Sequence, residues 1–397
     1  MECVKKISED IYWVGVNERR QPLFENIYPV SGYSCNAYFI DDEKKVLLDT
    51  VDAALGNEFF DNLDSLLHGG SLDYVIVNHM EPDHCAMLGR LLEKYPGACV
   101  IGNTKTATMA GQFFGACVKD RFTAVNEGDS ICCGRHTLKF YMAPMVHWPE
   151  AMVTYDETSG SLFSADAFGT FGTLDGNIFA DEVPFDMDSA RIYYTNIVGK
   201  YGVQVSALLK KASALDIGMV CPLHGPVWRE NIGMFIDKYV KWSSYTPENK
   251  AVVIACASIY GNTERACERL AFLLGERGVK DIRLYDLSRT HVSVVLAEAF
   301  RCSHIVLAAS TYNNGIFTPM ETLLSDLKSH GLKGRKVSLI QNGTWAPVSG
   351  KIMKEALEGM KDMEIVGPEI TIKSSPDDSV KSQLEELADN IAAQLAE

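Results

Sequence analysis

The 397-residue chain contains no C-x-x-C pair among its 11 cysteines, no G-x-G-x-x-G fingerprint, and no apolar run long enough to cross a bilayer. Each absence excludes something. Thiols scattered from Cys3 to Cys302 in so long a chain do not read as a disulfide framework. They are expected as reduced thiols, most of them small core hydrophobes in a reducing compartment. The missing glycine fingerprint removes the usual support for a dinucleotide cofactor. Basic residues are scarce too, 37 against 52 acidic ones, for a net charge of -15. Nucleic acid and anionic membrane both demand cationic surface and are disfavoured as partners, although a local basic patch could still dock an acidic protein. No long apolar segment follows Met1-Glu2-Cys3-Val4-Lys5-Lys6, so a cytoplasmic location is expected.

What is present is an ordinary globular balance, 47% hydrophobic and 22% charged, which excludes extensive disorder. The length exceeds what one core usually serves, and two domains are expected. Up to about Trp242, short strands alternate irregularly with turns and helices. Residues 36–40 and 46–49 flank a polar Asp41–Lys45 stretch and read as a hairpin, and residues 59–67 have helical spacing. Residues 74–77 form a buried strand opening into His79-Met80-Glu81-Pro82-Asp83-His84, with a helix from about Ala86 to Lys94. Beyond the polar, proline-containing residues 243–249, strand and helix alternate strictly. Strands are expected at 251–257, 282–286, 305–310, 337–341 and 365–372, and helices at 263–277, 292–301, 319–330, 351–361 and 380–395. That pattern fits a doubly wound parallel five-stranded sheet over 250–397, following a first domain of 1–245. There is no repeat and no low-complexity segment.

His79, Glu81, Asp83 and His84 put four potential metal ligands within six residues at a strand end. His147, Asp166 and His224 follow, each just past an apolar strand-like run. A lone histidine is usually structural, as His68, His136, His291, His304 and His330 are expected to be. Seven potential ligands in this order form a pattern. H-x-E-x-D-H, then His, Asp and His, resembles the binuclear site of the metallo-β-lactamase fold, an αββα sandwich, across roughly residues 1–245. Hydrolytic members of that fold usually have H-x-H-x-D-H, which suits zinc. Glu81 replaces the second imidazole with a harder carboxylate and moves the site toward iron. In this the chain resembles the flavodiiron family.

That resemblance implies that His79, Glu81 and His147 hold one iron, that Asp83, His84 and His224 hold the other, and that Asp166 bridges them. In some members the equivalent of His84 turns away and water replaces it; here it is taken as a ligand, with the alternative open. Tyr194 matches a tyrosine that in family members approaches the open face of the site, where its hydroxyl could reach a bound gas; a core tyrosine is the competing reading. Some members also supply a histidine from the N-terminal segment, where this chain has Leu23-Phe24-Glu25-Asn26 and none.

Ser258-Ile259-Tyr260-Gly261-Asn262-Thr263 follows the first strand of the second domain and opens a helix, where hydroxyls and backbone N–H groups can cradle a phosphate without a lysine. Two later strand ends, Ser310-Thr311-Tyr312-Asn313-Asn314-Gly315 and Asn342-Gly343-Thr344-Trp345-Ala346, fall where flavodoxin loops flank an isoalloxazine ring. The region from about Lys250 resembles flavodoxin, which implies FMN, with Tyr312 and Trp345 as ring contacts. The whole resemblance implies an oxidoreductase with FMN and two irons per chain that reduces dioxygen to water, nitric oxide to nitrous oxide, or both. No rubredoxin-like C-x-x-C pair is present, so a separate donor, rubredoxin or another, is expected. It also implies a head-to-tail homodimer, or a dimer of dimers. The preferred gas, the donor and the choice between dimer and tetramer are left open by the sequence.

Overall fold

The structure, a computed structural model, describes residues 1–396, with Lys119 described by its backbone only. The chain divides into two compact units: Met1–Tyr194 with Val203–Val240, and Thr195–Gly202 with the chain from Lys241 onward. The excursion at Thr195–Gly202 has a physical basis in hydrogen bonds to the second unit. Asn196 Nδ2 donates to Ser293 O (3.2 Å) and Tyr245 Oη donates to Gly199 O (2.9 Å).

The first unit is built on two sheets. One has seven strands, in the order Lys5–Lys6, Ile11–Trp13, Tyr38–Asp41, Lys45–Leu48, Tyr74–Ile76, Cys99–Gly102 and Phe122–Ala124. Its first three pairings are antiparallel and its last three parallel. The other runs Ser130–Cys132, Thr137–Met142, Met152–Asp156, Ser161–Phe163 and Met219–Cys221. One core joins them: Ile40, Leu48, Ile76 and Ile101 cluster with Leu138, Phe140, Met152, Phe163 and Cys221. Alternation explains which residues face inward, since successive side chains on a strand point to opposite faces. The expected hairpin forms with Tyr38 opposite Leu48 and Asp41 opposite Lys45.

His136 is structural, as its sequence context suggests. Its Nδ1 lies 2.7 Å from Asp156 Oδ2 and its Nε2 lies 2.9 Å from Asp10 Oδ2, which ties the edges of the two sheets together.

The second unit carries parallel strands in the order Ile282–Asp286, Asn249–Ala257, Cys302–Tyr312, Arg335–Asn342 and Met363–Ile365. Numbered along this domain, the order is 2-1-3-4-5, in which consecutive strands reverse direction of travel across the sheet at the first strand. The last expected strand, 365–372, is two pieces, Met363–Ile365 and Ile370–Ile372, both paired to Arg335–Asn342. Gly367 at φ +77° and Pro368 lie between them. Pro368 has no N–H to continue a ladder, so the strand breaks there. Helices Asn262–Glu276, Val292–Arg301, Thr318–Ser329, Ser349–Glu358 and Asp378–Ala396 fall where alternation placed them.

Candidate metal centre and flavin cleft

Chain direction gathers the ligand types of the first unit. His79 follows the strand Tyr74–Ile76, His147 follows Thr137–Met142, Asp166 follows Ser161–Phe163 and His224 follows Met219–Cys221. Asp83 and His84 sit on a single helical turn, Pro82–Cys85, where a loop was expected. All seven side chains converge.

The geometry resolves into two pockets that share one carboxylate. In the first, Glu81 Oε2 lies 3.2 Å from His79 Nε2 and 2.9 Å from His147 Nε2. Asp166 Oδ2 lies 3.1 and 3.0 Å from the same two nitrogens. In the second, Asp83 Oδ2 lies 3.3 Å from His84 Nε2 and 3.2 Å from His224 Nε2. The other oxygen of Asp166, Oδ1, faces these at 3.3 and 3.7 Å. Asp166 therefore straddles the pockets, one oxygen to each. His84 Nε2 points inward, 3.0 Å from His224 Nε2, so its imidazole is not turned away.

Outer partners orient the rings. His79 Nδ1 lies 2.9 Å from Glu150 Oε1, which also accepts from Met80 N at 2.8 Å. His224 Nδ1 donates to Ser34 O at 2.7 Å. A carboxylate and a carbonyl can only accept, so each Nδ1 carries the proton and each Nε2 is left to face the cluster. Glu150 was not anticipated from sequence. Only its place three residues after His147 hinted at it.

The electrostatics fit a cation. Burial alone would lower the histidines, but Asp166, Glu150 and Glu81 outweigh it and hold His79 well above its ordinary range. His147 is raised to about 9, where hydrogen bonds to Asp166 and Glu81 outweigh burial. Asp166, despite burial, is held well below the usual carboxylate range by His79 and His84. In the bare protein, protons on imidazoles balance the carboxylates, and divalent ions would replace them. Asp83 Oδ1 and Asp166 Oδ1 are buried without a hydrogen-bond partner, as oxygens reserved for a metal would be. Glu150→Gln keeps an acceptor but removes the charge behind His79. We expect it to weaken metal retention roughly 10–100-fold, measured as metal content after dialysis against graded chelator.

Tyr194 requires a correction. Its ring stands edge-on to Tyr239, 4.9 Å between centroids, whereas the preceding residue, Tyr193, packs against His224 at 5.6 Å. The α-helix ends at Tyr193 and passes into the wider turn Tyr194–Val198, so the two adjacent tyrosines point to different sides and Tyr193 is the one packed on the ligand ring. Gly169 makes room, because a Cβ there would lie 2.5 Å from the Tyr193 ring. The Tyr193 hydroxyl is buried without a partner, and burial and Asp166 raise it well above its ordinary range, so it keeps its proton.

The N-terminal segment contributes Glu25 in place of a histidine. It sits at the tip of the hairpin formed by Leu23–Phe24 and Tyr28–Pro29, in left-handed conformation (φ +50°). Phe24 beside it packs edge-on to His224, 5.1 Å between centroids. Glu25 reaches the surface, yet desolvation and Glu81 push its carboxyl up to about 8, with His147 opposing.

In the second unit, a cleft of about 570 Å³ opens at the strand ends. Every residue expected in the three loops lines it except Gly261 and Gly315, together with Ser374, which the sequence reading missed. Gly261 shapes the first loop: at φ +84° it precedes helix Asn262–Glu276, and its N–H donates to Ser258 Oγ at 3.1 Å. Asn313 and Asn314, both left-handed, turn the chain so that Tyr312 pairs with Gly315. Asn342 Nδ2 donates to Thr263 Oγ1 (3.3 Å) and Ser374 O (3.2 Å), linking the first and third loops.

Among the described residues, no Lys, Arg, Asp or Glu lines the cleft. An anionic group would be met by neutral donors at a helix start. Around this polar floor stand aromatic rings open to solvent, Tyr260 at 94% and Trp345 at 87% exposure, as a planar ligand would require. Donor set, volume and aromatic rim fit a flavin monophosphate.

Comparison with known proteins agrees with both units. A family model described as ODP family beta lactamase matches residues 33–225. The nitric oxide reductase of Moorella thermoacetica is 30% identical over 401 residues, 98% of each chain. An uncharacterized protein of Methanocaldococcus jannaschii is 32% identical over 329 residues, 81% of each. Among solved structures, the rubredoxin oxygen:oxidoreductase of Desulfovibrio gigas has a TM-score of 0.91 at 26% identity, covering 99% of both chains. With its paired ligand pockets in one unit and its neutral, aromatic-rimmed cleft in the other, the chain belongs to the flavodiiron protein family.

Proposed function

We propose that this protein reduces dioxygen to water, nitric oxide to nitrous oxide, or both, at a di-iron centre held by His79, Glu81, Asp83, His84, His147, Asp166 and His224. The second unit would hold FMN, which would supply electrons drawn from a separate donor such as rubredoxin. The observation that carries this reading is the placement of Asp166, one oxygen toward each ligand pocket, with Glu81 supplying the first pocket with a carboxylate. When bound, the irons supply electrons and a Lewis-acidic face for a diatomic gas, and the flavin replenishes those electrons.

The chain's own residues set the conditions. Glu81, Asp83 and the bridging Asp166 supply three carboxylates to two ions, hard donors suited to iron. Glu150 and the Ser34 carbonyl fix two imidazoles in the tautomer that directs Nε2 inward. The Tyr193 hydroxyl, protonated and unpartnered, can donate a hydrogen bond to a bound gas. Glu25 supports a route for protons, because it touches solvent while its carboxyl lies among the charges of Glu81, His147, Asp83 and Asp166. In the second unit, backbone N–H groups and hydroxyls around Ser258 and Thr263 would hold the phosphate, and Tyr260, Tyr312 and Trp345 would flank the ring.

Two features of the reading rest on the family and not on this chain's geometry: the head-to-tail homodimer and the identity of the donor. The first test is composition. Protein expressed in iron-rich medium is expected to contain about two irons and one FMN per chain, by elemental analysis and flavin extraction. Zinc as the main metal would overturn the oxidoreductase reading in favour of hydrolysis.

A further inference from the structure

We propose that the second unit holds a hydrogen phosphate site at the edge of its sheet opposite the flavin cleft, between the ammonium groups of Lys250 and Lys336 and the imidazole of His304. A cavity of about 350 Å³ lies where the strands Asn249–Ala257, Cys302–Tyr312, Arg335–Asn342 and Met363–Ile365 begin. Gln394, near the end of helix Asp378–Ala396, lines it too, and it shares no residue with the flavin cleft. Its volume is in the range of small-ligand pockets, roughly 300–1,000 Å³.

The buried wall of this cavity is made of acceptors. His304 is 1% exposed and stands opposite Lys336 in the parallel register, so the two share a face of the sheet. Its Nε2 lies 3.0 Å from Ser338 Oγ, and that hydroxyl donates to Val366 O, also at 3.0 Å. A hydroxyl has one proton, and here the carbonyl takes it. Nε2 must therefore donate to Ser338, which leaves Nδ1 as a bare acceptor. Burial, reinforced by the charge of Lys336, pushes the imidazole down to about 3, so it is neutral at physiological pH. Nδ1 is buried without a hydrogen-bond partner, and so are Gln394 Oε1 and Ser303 Oγ, whose residues line the same cavity. Buried polar atoms are rarely left unpaired, and three such residues around one cavity call for a ligand with a proton to give.

The cations of the lining ask for negative charge. Among the described residues, neither Lys250 nor Lys336 pairs with a carboxylate. Arg335 adds a third positive charge, since burial lowers its guanidinium only to about 10. Its donors are spent on backbone carbonyls, including those of Ala299 (2.8 Å), Phe300 (2.7 Å) and Tyr245 (2.7 Å). Two carboxylates stand against these, Asp362, 4.0 Å from Lys361, and Glu364, but both are exposed and screened by water. Inorganic phosphate satisfies both demands, because it keeps a proton at neutral pH. One P–O–H can donate to His304 Nδ1 while the charged oxygens accept from the ammonium groups. Sulfate has the shape and charge of hydrogen phosphate but no proton to give.

The test is equilibrium dialysis of the full-length protein, as purified, against radiolabelled inorganic phosphate at neutral pH. One saturable phosphate per chain is expected at this site, and about a tenfold excess of sulfate should not displace it. Lys336→Gln should weaken binding at least about tenfold, as loss of a charge-assisted hydrogen bond would, and His304→Phe, which removes the acceptor, should do the same. Lys250→Gln, at an exposed position on the strand start, provides the comparison if the His304 variant does not fold. Absence of saturable binding, displacement by sulfate at equal concentration, or phosphate binding indifferent to both lysines would each overturn the proposal, and each would leave the metal and flavin readings untouched.

Discussion

Glu81→His is expected to abolish gas reduction and to shift metal preference from iron toward zinc, while FMN stays bound in normal amount. Glu81 shares the first pocket's donor set with His79, His147 and the bridging carboxylate Asp166, and its Oε2 lies 3.2 and 2.9 Å from His79 and His147. An imidazole in its place leaves three neutral nitrogens around the ion. Iron in its higher oxidation state is stabilised by anionic oxygen, whereas zinc is well served by imidazole. Removal of a direct donor should exceed the roughly 10–100-fold loss that removing an outer partner brings. The flavin cleft lies in the other unit and shares no residue with this pocket, so flavin content is an internal control. Metal analysis and anaerobic turnover of both gases make the measurement. Unchanged activity in a variant that has kept its iron would show that Glu81 is not a ligand.

The candidate metal ligands were legible in the sequence for a physical reason. Four candidate ligands lie within six residues, and that spacing survives into the fold because a strand end and one helical turn present them together. The flavin loops were legible for a related reason: each directly follows a strand of a parallel sheet, and all such ends lie at one edge. What was not legible depends on partners distant in sequence. The Ser34 carbonyl orients His224 from 190 positions away, and nothing local marks it. Glu150 is visible as a carboxylate near His147, yet its partner is His79, 71 residues earlier. Ser374 enters the flavin cleft through a hydrogen bond to Asn342. The misassigned Tyr194 is a different case, since the segment was right and the helix face wrong. The helix ends at Tyr193 and passes into the wider turn Tyr194–Val198, where ordinary helical spacing no longer indicates which side chain faces inward.

Mixing two inactive variants is expected to restore activity if the flavin of one subunit serves the metals of the other. His79→Ala with Glu81→Ala removes two donors from the first pocket and leaves the flavin loops intact. Gly261→Val with Thr263→Asp acts on the cleft alone: valine is strained at φ +84°, and a carboxylate replaces a hydroxyl where a phosphate would sit. Each variant by itself lacks one cofactor at every site and should be inactive. In a head-to-tail heterodimer, one interface pairs a sound flavin cleft with a sound metal site, and the other pairs two defective ones. Random exchange of equal amounts makes about half of the dimers mixed, and half of the sites in those dimers work, so the mixture should regain about a quarter of parental activity. Internal transfer predicts a different result, because no chain in the mixture has both sites and no activity could return. The heterodimer must be verified, for example by purification on two different affinity tags, since failure to exchange would mimic internal transfer. An inactive heterodimer with iron on one chain and FMN on the other would reject transfer between subunits. Activity near a quarter would show that the two cofactors of a working pair come from different chains.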